Sequence, residues 1–429
     1  MRKQFAQRIR WTIDHALPTV GTRLGARRGD PLARVVVATA SDGDMGPLLR
    51  EIRSDGPISF GRVGAVTVDH AAVKAILSTD DFIVARFGHD ESLLGRIGTW
   101  AARGQLHPME PPSLLVSNPP EHTRYRKLVT RVFTARAVER LRGQVTAIAG
   151  DLLDSLDPSD PVDLVRQYSG LLPVTVISAI LGVPADERDR VLAFGEAAAP
   201  SLDMGLSWAR FRSVEDTLAE FGEWLGEHLR RLADHPGDDL LSRLVEARDE
   251  GVGLSERELR ATAGLVLAAG FETTVNLLSN GTALLSEHPD QLAALRHGGA
   301  DWSNAVDEVL RFDPPVLLTA RQAAVDTEVV GVPVREGQRI LTVLAGANRD
   351  PQVFDDPDTF DVARPNASAH VSFGAGRHHC LGASLARMEG AIGLQSLFER
   401  FPDLALDDGA HRRETRILRG YEKLPVVLG

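Results

Sequence analysis

The chain has 429 residues, with 48 lysines and arginines against 59 aspartates and glutamates, and its net charge of −11 argues against general nucleic-acid binding. A single cysteine excludes an intrachain disulfide and any zinc or iron–sulfur cage that needs several sulfurs. No continuous apolar run approaches the ~18–20 residues of a membrane span, and Arg2, Lys3, Arg8 and Arg10 precede no leader-like apolar core, so a cytoplasmic protein without a membrane span is expected.

In chain order, residues 1–44 read as an N-terminal extension, with a short basic amphipathic helix around Phe5, Ile9, Trp11 and Ile13 that packs on the rest; residues 45–429 read as one domain. Amphipathic periodicity predicts helices near 70–78, 120–156, 166–181, 185–199, 206–234, 255–286, 302–312 and 382–400. Short strand-like runs fall at Ala65–Val68, Thr327–Val330, Ile340–Val343 and Val426–Leu428. Proline and glycine cluster in 105–120, 331–337 and 351–376, which read as loops. Helices outnumber strands, so the fold class is mainly α with minor β-sheets.

The stretch from Leu254 to Pro289 is the most informative helix. Ser255 and Glu258 form a capping-box pattern at its start, and His288-Pro289 ends it, giving about thirty residues and roughly 45 Å. Its middle reads Leu267-Ala268-Ala269-Gly270-Phe271-Glu272-Thr273-Thr274. Glycine costs about 1 kcal/mol there relative to alanine, and a buried carboxylate costs more unless it is paired or wet. A purely structural account is a kink, with threonines bonding back to i−4 carbonyls.

Cys380 lies in Phe373-Gly374-Ala375-Gly376-Arg377-His378-His379-Cys380-Leu381-Gly382. A lone thiol can be an inert core residue, a nucleophile, or one axial ligand to a metal macrocycle. Gly376 and Gly382 bracket the sulfur, so the backbone can turn tightly and approach a flat ligand. Backbone N–H groups in such a turn, and the helix that follows, favour the thiolate.

Taken together, the pattern F-x-x-G-x-[HR]-x-C-x-G at Phe373, Gly376, His378, Cys380 and Gly382, the segment Ala269-Gly270-Phe271-Glu272-Thr273-Thr274, and Glu308-Val309-Leu310-Arg311 resemble the cytochrome P-450 superfamily. Pro120-Glu121-His122-Thr123-Arg124-Tyr125-Arg126 and the run Ala347-Asn348-Arg349-Asp350-Pro351 to Arg364-Pro365 extend the resemblance from about residue 45 to the C-terminus, with Asn118 standing where the family more often has aspartate. Segments including Gln105-Leu106-His107-Pro108 and Arg412-Arg413-Glu414-Thr415-Arg416 are similar to an actinobacterial subgroup, the cytochrome P-450 family one-hundred-and-forty.

The resemblance implies the cytochrome P-450 fold, haem b as cofactor, and Cys380 as axial ligand to its iron. It implies Phe373, Gly376, Arg377, His378 and Gly382 around that ligand, and His122, Arg126, Arg321 and His370 as candidates for the haem propionates. Glu308, Arg311 and Arg364 would form a buried locking network, bidentate in a way lysine cannot match. Gly270, Glu272 and Thr273 would activate dioxygen and deliver protons. An apolar substrate of lipid, polyketide, terpenoid or steroid type would touch the loop from about Phe87 to Leu115, Ala268, Ala269, Val316, Leu317, Leu318, Ile417 and Leu418. Electrons would come from NAD(P)H through a separate ferredoxin reductase and ferredoxin, docking on a positive patch of Arg124, Arg131, Arg377 and Arg387, and the protein would act as a monomer. The alternatives are a haem-thiolate binding or sensing protein, which should lack the Glu272–Thr273 pair, and peroxide-driven oxidation.

Overall fold

The Ser255 hydroxyl accepts a hydrogen bond from the Glu258 N–H while the Glu258 carboxylate accepts one from the Ser255 N–H, and from this capping box a helix runs from Glu256 to Glu287. It stops at His288, ahead of Pro289, whose ring cannot continue the N–H ladder. In this computed structural model, which describes all residues except 1, 42, 85–92, 102–106, 132, 238, 248–250 and 429, 20 of the 32 residues of that helix are buried. The helices Leu171–Ile180, Trp208–Asp234, Trp302–Phe312 and Ala383–Arg400 pack around it. Gly393 permits the closest of these approaches, since a Cβ there would come within 2.7 Å of Leu278. This helix is also long and apolar enough to cross a membrane, but most of its apolar stretch is buried, the signature of a core helix.

The strands form a side layer. Ser59–Phe60, Ala65–Thr67, Arg339–Val343, Leu318–Ala323 and Phe82–Val84 make a five-stranded sheet in that order, parallel only between Ala65–Thr67 and Arg339–Val343. Thr327–Val329 and Val332–Val334 form a separate hairpin, so the expected loop at 331–337 is partly a strand. Val330 and Gly331, at φ 50° and 77°, supply the two left-handed residues that a two-residue hairpin turn demands.

The expected helix over 120–156 divides into Glu121–Thr130, Ala135–Glu139 and Arg142–Asp154. Thr134 causes the second start: its backbone is extended and its hydroxyl accepts from the Ala137 N–H. A helix, Leu93–Ala101, lies within the stretch from about Phe87 to Leu115 that the sequence leaves as a loop.

The N-terminus is helical over Arg2–Trp11, Leu17–Arg27 and Pro31–Ala38. Arg10 pairs with Glu215 in a buried ion pair at 2.9 Å, and the Trp11 indole donates to the Leu206 carbonyl at 2.8 Å. Leu32, Val35 and Val36 share one apolar cluster with Leu49, Ile52, Leu317 and Leu318, so residues before and after position 45 build the same core.

Candidate active site

The cysteine loop is held by its own backbone. The Gly374 N–H donates to the Val371 carbonyl at 2.8 Å, and the Cys380 N–H donates to the Phe373 carbonyl at 2.8 Å. Gly376, at φ 65°, lies so close to the end of the helix His70–Ser78 that a Cβ would fall 2.4 Å from the Leu77 carbonyl oxygen. No other residue fits that position. Cys380 keeps open surface although protein surrounds it on most sides, as befits a group on the floor of a concave space. Burial pushes its thiol up, against the opposing pull of the Gly382 N–H, Arg126 and Arg387. The expected thiolate stabilisation by the loop is therefore outweighed by desolvation, and the sulfur calls for a cationic partner of its own.

A donor cluster stands beside the loop. His122 and Arg126 sit one turn apart on the helix Glu121–Thr130, Arg321 is buried on the strand Leu318–Ala323, and the His378 ring lies 4.1 Å from that of His122. Arg126 also reaches back to the His379 carbonyl at 2.7 Å. Burial, together with smaller contributions from neighbouring cationic groups, lowers His122 to about 4 and His378 to about 3, and burial alone lowers Arg321 to about 10. No carboxylate is among the described influences on these three groups. Nε2 of His122 and Nε2 of His378 are buried without a partner. A buried, acid-free set of donors with orphaned nitrogens fits a ligand that brings its own carboxylates, as the two propionates of a haem would.

One expected member, His370, leaves this set, and Arg377, expected around the cysteine, is engaged elsewhere. His370 has both ring nitrogens occupied, Nε2 by Asp307 at 3.2 Å and Nδ1 by the Ser372 N–H at 3.1 Å, so it belongs to a separate pairing in which Arg387 binds the same Asp307. The Arg377 guanidinium is committed to Asp80. The expected positive docking patch is weakened for the same reason: Arg124 is paired with Glu258, Arg377 with Asp80 and Arg387 with Asp307.

The locking network is fully formed. Arg311 donates from Nε and Nη2 to the two oxygens of Glu308 at 2.7 and 2.8 Å, and Arg364 donates to the same carboxylate at 3.2 Å. Arg311 also reaches the carbonyls of Asn348, Pro357 and Thr359. Asn348, which the sequence offers only as part of a loop run, links this network to the cysteine loop: its amide donates to Ser372 Oγ at 2.7 Å and accepts from the Val371 N–H at 2.8 Å.

On the long helix, Val266, Ala269, Gly270 and Thr273 keep surface while Leu267, Ala268, Phe271, Glu272 and Thr274 are buried. The spacing i, i+3, i+4, i+7 is one helical face, so a single open window interrupts a buried rod. Thr273 donates to the Ala269 carbonyl at 2.8 Å and Thr274 to the Gly270 carbonyl at 3.1 Å. The back-bonding that a purely structural account anticipates is thus present, and it leaves the Thr273 oxygen free to act as an acceptor toward the window. Leu267, Ala268 and Phe271 border a small apolar void with Ile177, Phe194 and Phe221. Of the other residues expected on the pocket wall, Val316 and Ile417 keep partial exposure, whereas Leu317, Leu318 and Leu418 are closed into the core. Leu317 donates its N–H to the Ile417 carbonyl at 2.8 Å, so the two segments do meet. The stretches 87–92 and 102–106 of the expected substrate loop lie outside the described residues.

Glu272 is almost completely buried and forms an ion pair with Arg413, which also donates to the Tyr421 carbonyl at 3.2 Å. Sequence reasoning did not find this partner, since Arg413 is one arginine among many. Burial raises the Glu272 carboxyl and Arg413 only partly offsets it. A folded-state value above the unfolded one, about 4.3, means that stability falls as pH rises through the unfolded value. Glu272→Gln is therefore expected to melt at a higher temperature than the parent at pH 7, with the gain vanishing as pH falls toward 4, and calorimetry across that range checks it.

Three comparisons bear on this arrangement. The sequence profile of the family described as "Cytochrome P450" matches residues 201–298 and 302–415. A Mycobacterium tuberculosis protein bearing the name cytochrome P450 140 is 48% identical over 427 residues, spanning 98% of this chain and 98% of its own length. The 6-deoxyerythronolide B hydroxylase of Saccharopolyspora erythraea is 42% identical over 317 residues, 73% of this chain and 77% of that protein. Among solved structures, ligand-free CYP164A2 of Mycobacterium smegmatis aligns at a TM-score of 0.80 and 32% identity, covering 92% of this chain and 99% of its own.

Proposed function

The chain belongs to the cytochrome P450 family, whose members are haem-dependent monooxygenases, and from that premise we propose that it hydroxylates an apolar polyketide-, lipid-, terpenoid- or steroid-like molecule in the cytoplasm, as a monomer. The haem would be haem b, and electrons would come from NAD(P)H through a separate ferredoxin reductase and ferredoxin. The observation that carries the reading is the acid-free donor cluster of His122, Arg126, Arg321 and His378 beside the lone thiol of Cys380. The 6-deoxyerythronolide B hydroxylase among the relatives supports the substrate class.

When bound, the haem supplies the redox chemistry that reduces dioxygen and places one oxygen atom on a substrate C–H bond. Cys380 would hold the iron, which supplies the positive charge that burial denies the sulfur. Arg126, Arg321, His122 and His378 would receive the propionates, and the imidazoles gain in that exchange the acceptors they now lack. Phe373, Gly376 and Gly382 shape the turn beneath. Gly270 leaves the window open, and the small side chains of Ala269 and Thr273 keep it so. Thr273 would accept a hydrogen bond there, because its own proton is already given to the Ala269 carbonyl. Glu272 would pass protons: burial raises its carboxyl and so favours its taking one up, while the partly exposed Arg413 favours the charged form to which it returns between transfers.

Thr273→Ala tests this division of labour. Product formed per NAD(P)H should fall on the order of tenfold or more while reductant consumption continues and hydrogen peroxide appears. Unchanged coupling in the variant would remove Thr273 from the proton path.

A further inference from the structure

The helix Leu17–Arg27 contains no buried residue, although Leu17, Val20 and Leu24 lie on it at i, i+3 and i+7. These three are 53%, 55% and 46% exposed. The hairpin turn beside it continues the patch: a Cβ on Gly25 would fall 3.0 Å from Val63, and Val63 and Phe60 are themselves exposed. Arg23, Arg27 and Arg28 on the helix side and Arg62 on the turn are exposed, and none forms an ion pair with a described residue. The first 34 residues carry eight basic and two acidic side chains, six positive charges on a chain whose total is −11. The segment is no loose tail, since Arg10, Trp11 and Asp30 tie it to Glu215, Leu206 and the Val63 N–H.

We propose that this face, formed by Leu17, Val20, Leu24, Val63 and Phe60 within a ring of Arg23, Arg27, Arg28 and Arg62, docks the protein on an anionic lipid bilayer. An exposed helix face and a hairpin tip lie side by side, and their apolar side chains flanked by arginines match the layered chemistry of such a surface, with acyl chains beneath phosphate groups. A second copy of the chain is a poorer fit, because a patch of five apolar side chains bordered by four like charges repels its own image. The face contains none of the residues assigned to the haem or to proton delivery, so its role stands apart from the proposed reaction.

Flotation of the haem-loaded protein with vesicles decides the matter. Binding is expected to phosphatidylcholine vesicles containing phosphatidylglycerol, to weaken as salt is raised, and to be absent with phosphatidylcholine alone. Each arginine lost should lower the partition coefficient about fivefold, so Arg23→Gln, Arg27→Gln and Arg28→Gln together should lower it about a hundredfold. Leu17→Ser, Val20→Ser and Leu24→Ser together should also abolish flotation. Both triple variants should keep the parent's carbon-monoxide difference spectrum, which separates a lost surface from a lost fold. The proposal is overturned by failure to bind anionic vesicles at low salt, by triple variants that bind as the parent does, by a dimer in sedimentation that Leu24→Ser dissolves, or by salt-sensitive capture of an acidic carrier protein without any vesicle binding.

Discussion

Cys380→Ser abolishes the strongly red-shifted Soret band of the dithionite-reduced, carbon-monoxide-treated protein and lowers monooxygenation at least about a thousandfold, roughly 4 kcal/mol of barrier. The serine oxygen is smaller than sulfur and so fits the same space, and the backbone bond from residue 380 to the Phe373 carbonyl survives the change, as does the fit of Gly376 against Leu77. The fold should therefore persist. The ligand chemistry changes: a hydroxyl ionises far less readily than a thiol, and the electron donation of a sulfur ligand is lost. The polar cluster of His122, Arg126, Arg321 and His378 is untouched by the substitution, so haem is still expected to bind, now with a spectrum of oxygen-ligated or five-coordinate iron. A variant that kept the thiolate-type band would exclude Cys380 as the ligand, and no other cysteine is present to replace it.

What the sequence made legible was local. Ser255, Glu258 and His288-Pro289 mark the ends of the long helix within a residue, because capping and proline chemistry act over three or four positions. The glycines around Cys380 announce a tight turn for the same reason. Thr134 carries a capping signal too, but it sits inside a long amphipathic run whose periodicity hides the break. Strand Leu318–Ala323 is hard to read because its alternation is short and Gln322 breaks it, and its place inside the sheet, between Arg339–Val343 and Phe82–Val84, makes it a strand. Partners were the least visible feature. Nothing at position 413 distinguishes the arginine that meets Glu272 from its neighbours at 412 and 416, and nothing at 370 reveals that Asp307 already claims that histidine. Such pairings are set where a loop residue meets a helix far away in the sequence, and in a chain whose default cation is arginine they leave no spacing to read.

Arg311→Ala is expected to destabilise the fold by about 3–5 kcal/mol, the cost of stranding a buried charge, read as a lower denaturant midpoint at unchanged slope. Arg311 and Glu308 are completely buried, and the guanidinium satisfies not only that carboxylate but the carbonyls of Asn348, Pro357 and Thr359. Its removal leaves Glu308 with Arg364 and the Asp361 N–H alone, and takes their guanidinium donor from the Asn348 and Pro357 carbonyls, while the Thr359 carbonyl keeps Arg364. Lysine at 311 could keep one contact but not the fork, so Arg311→Lys should recover only a minor part of the loss. The loss should also reach the cysteine loop, because the Asn348 carbonyl that Arg311 holds belongs to the residue that anchors Val371 and Ser372. Asn348→Ala separates the two effects: it spares the Glu308–Arg311 pair, so it should cost less stability than Arg311→Ala yet release haem comparably fast. If Arg311→Ala instead lost stability but retained haem as firmly as the parent, the network would serve the fold alone, and the loop at Cys380 would stand on its own glycines and backbone bonds.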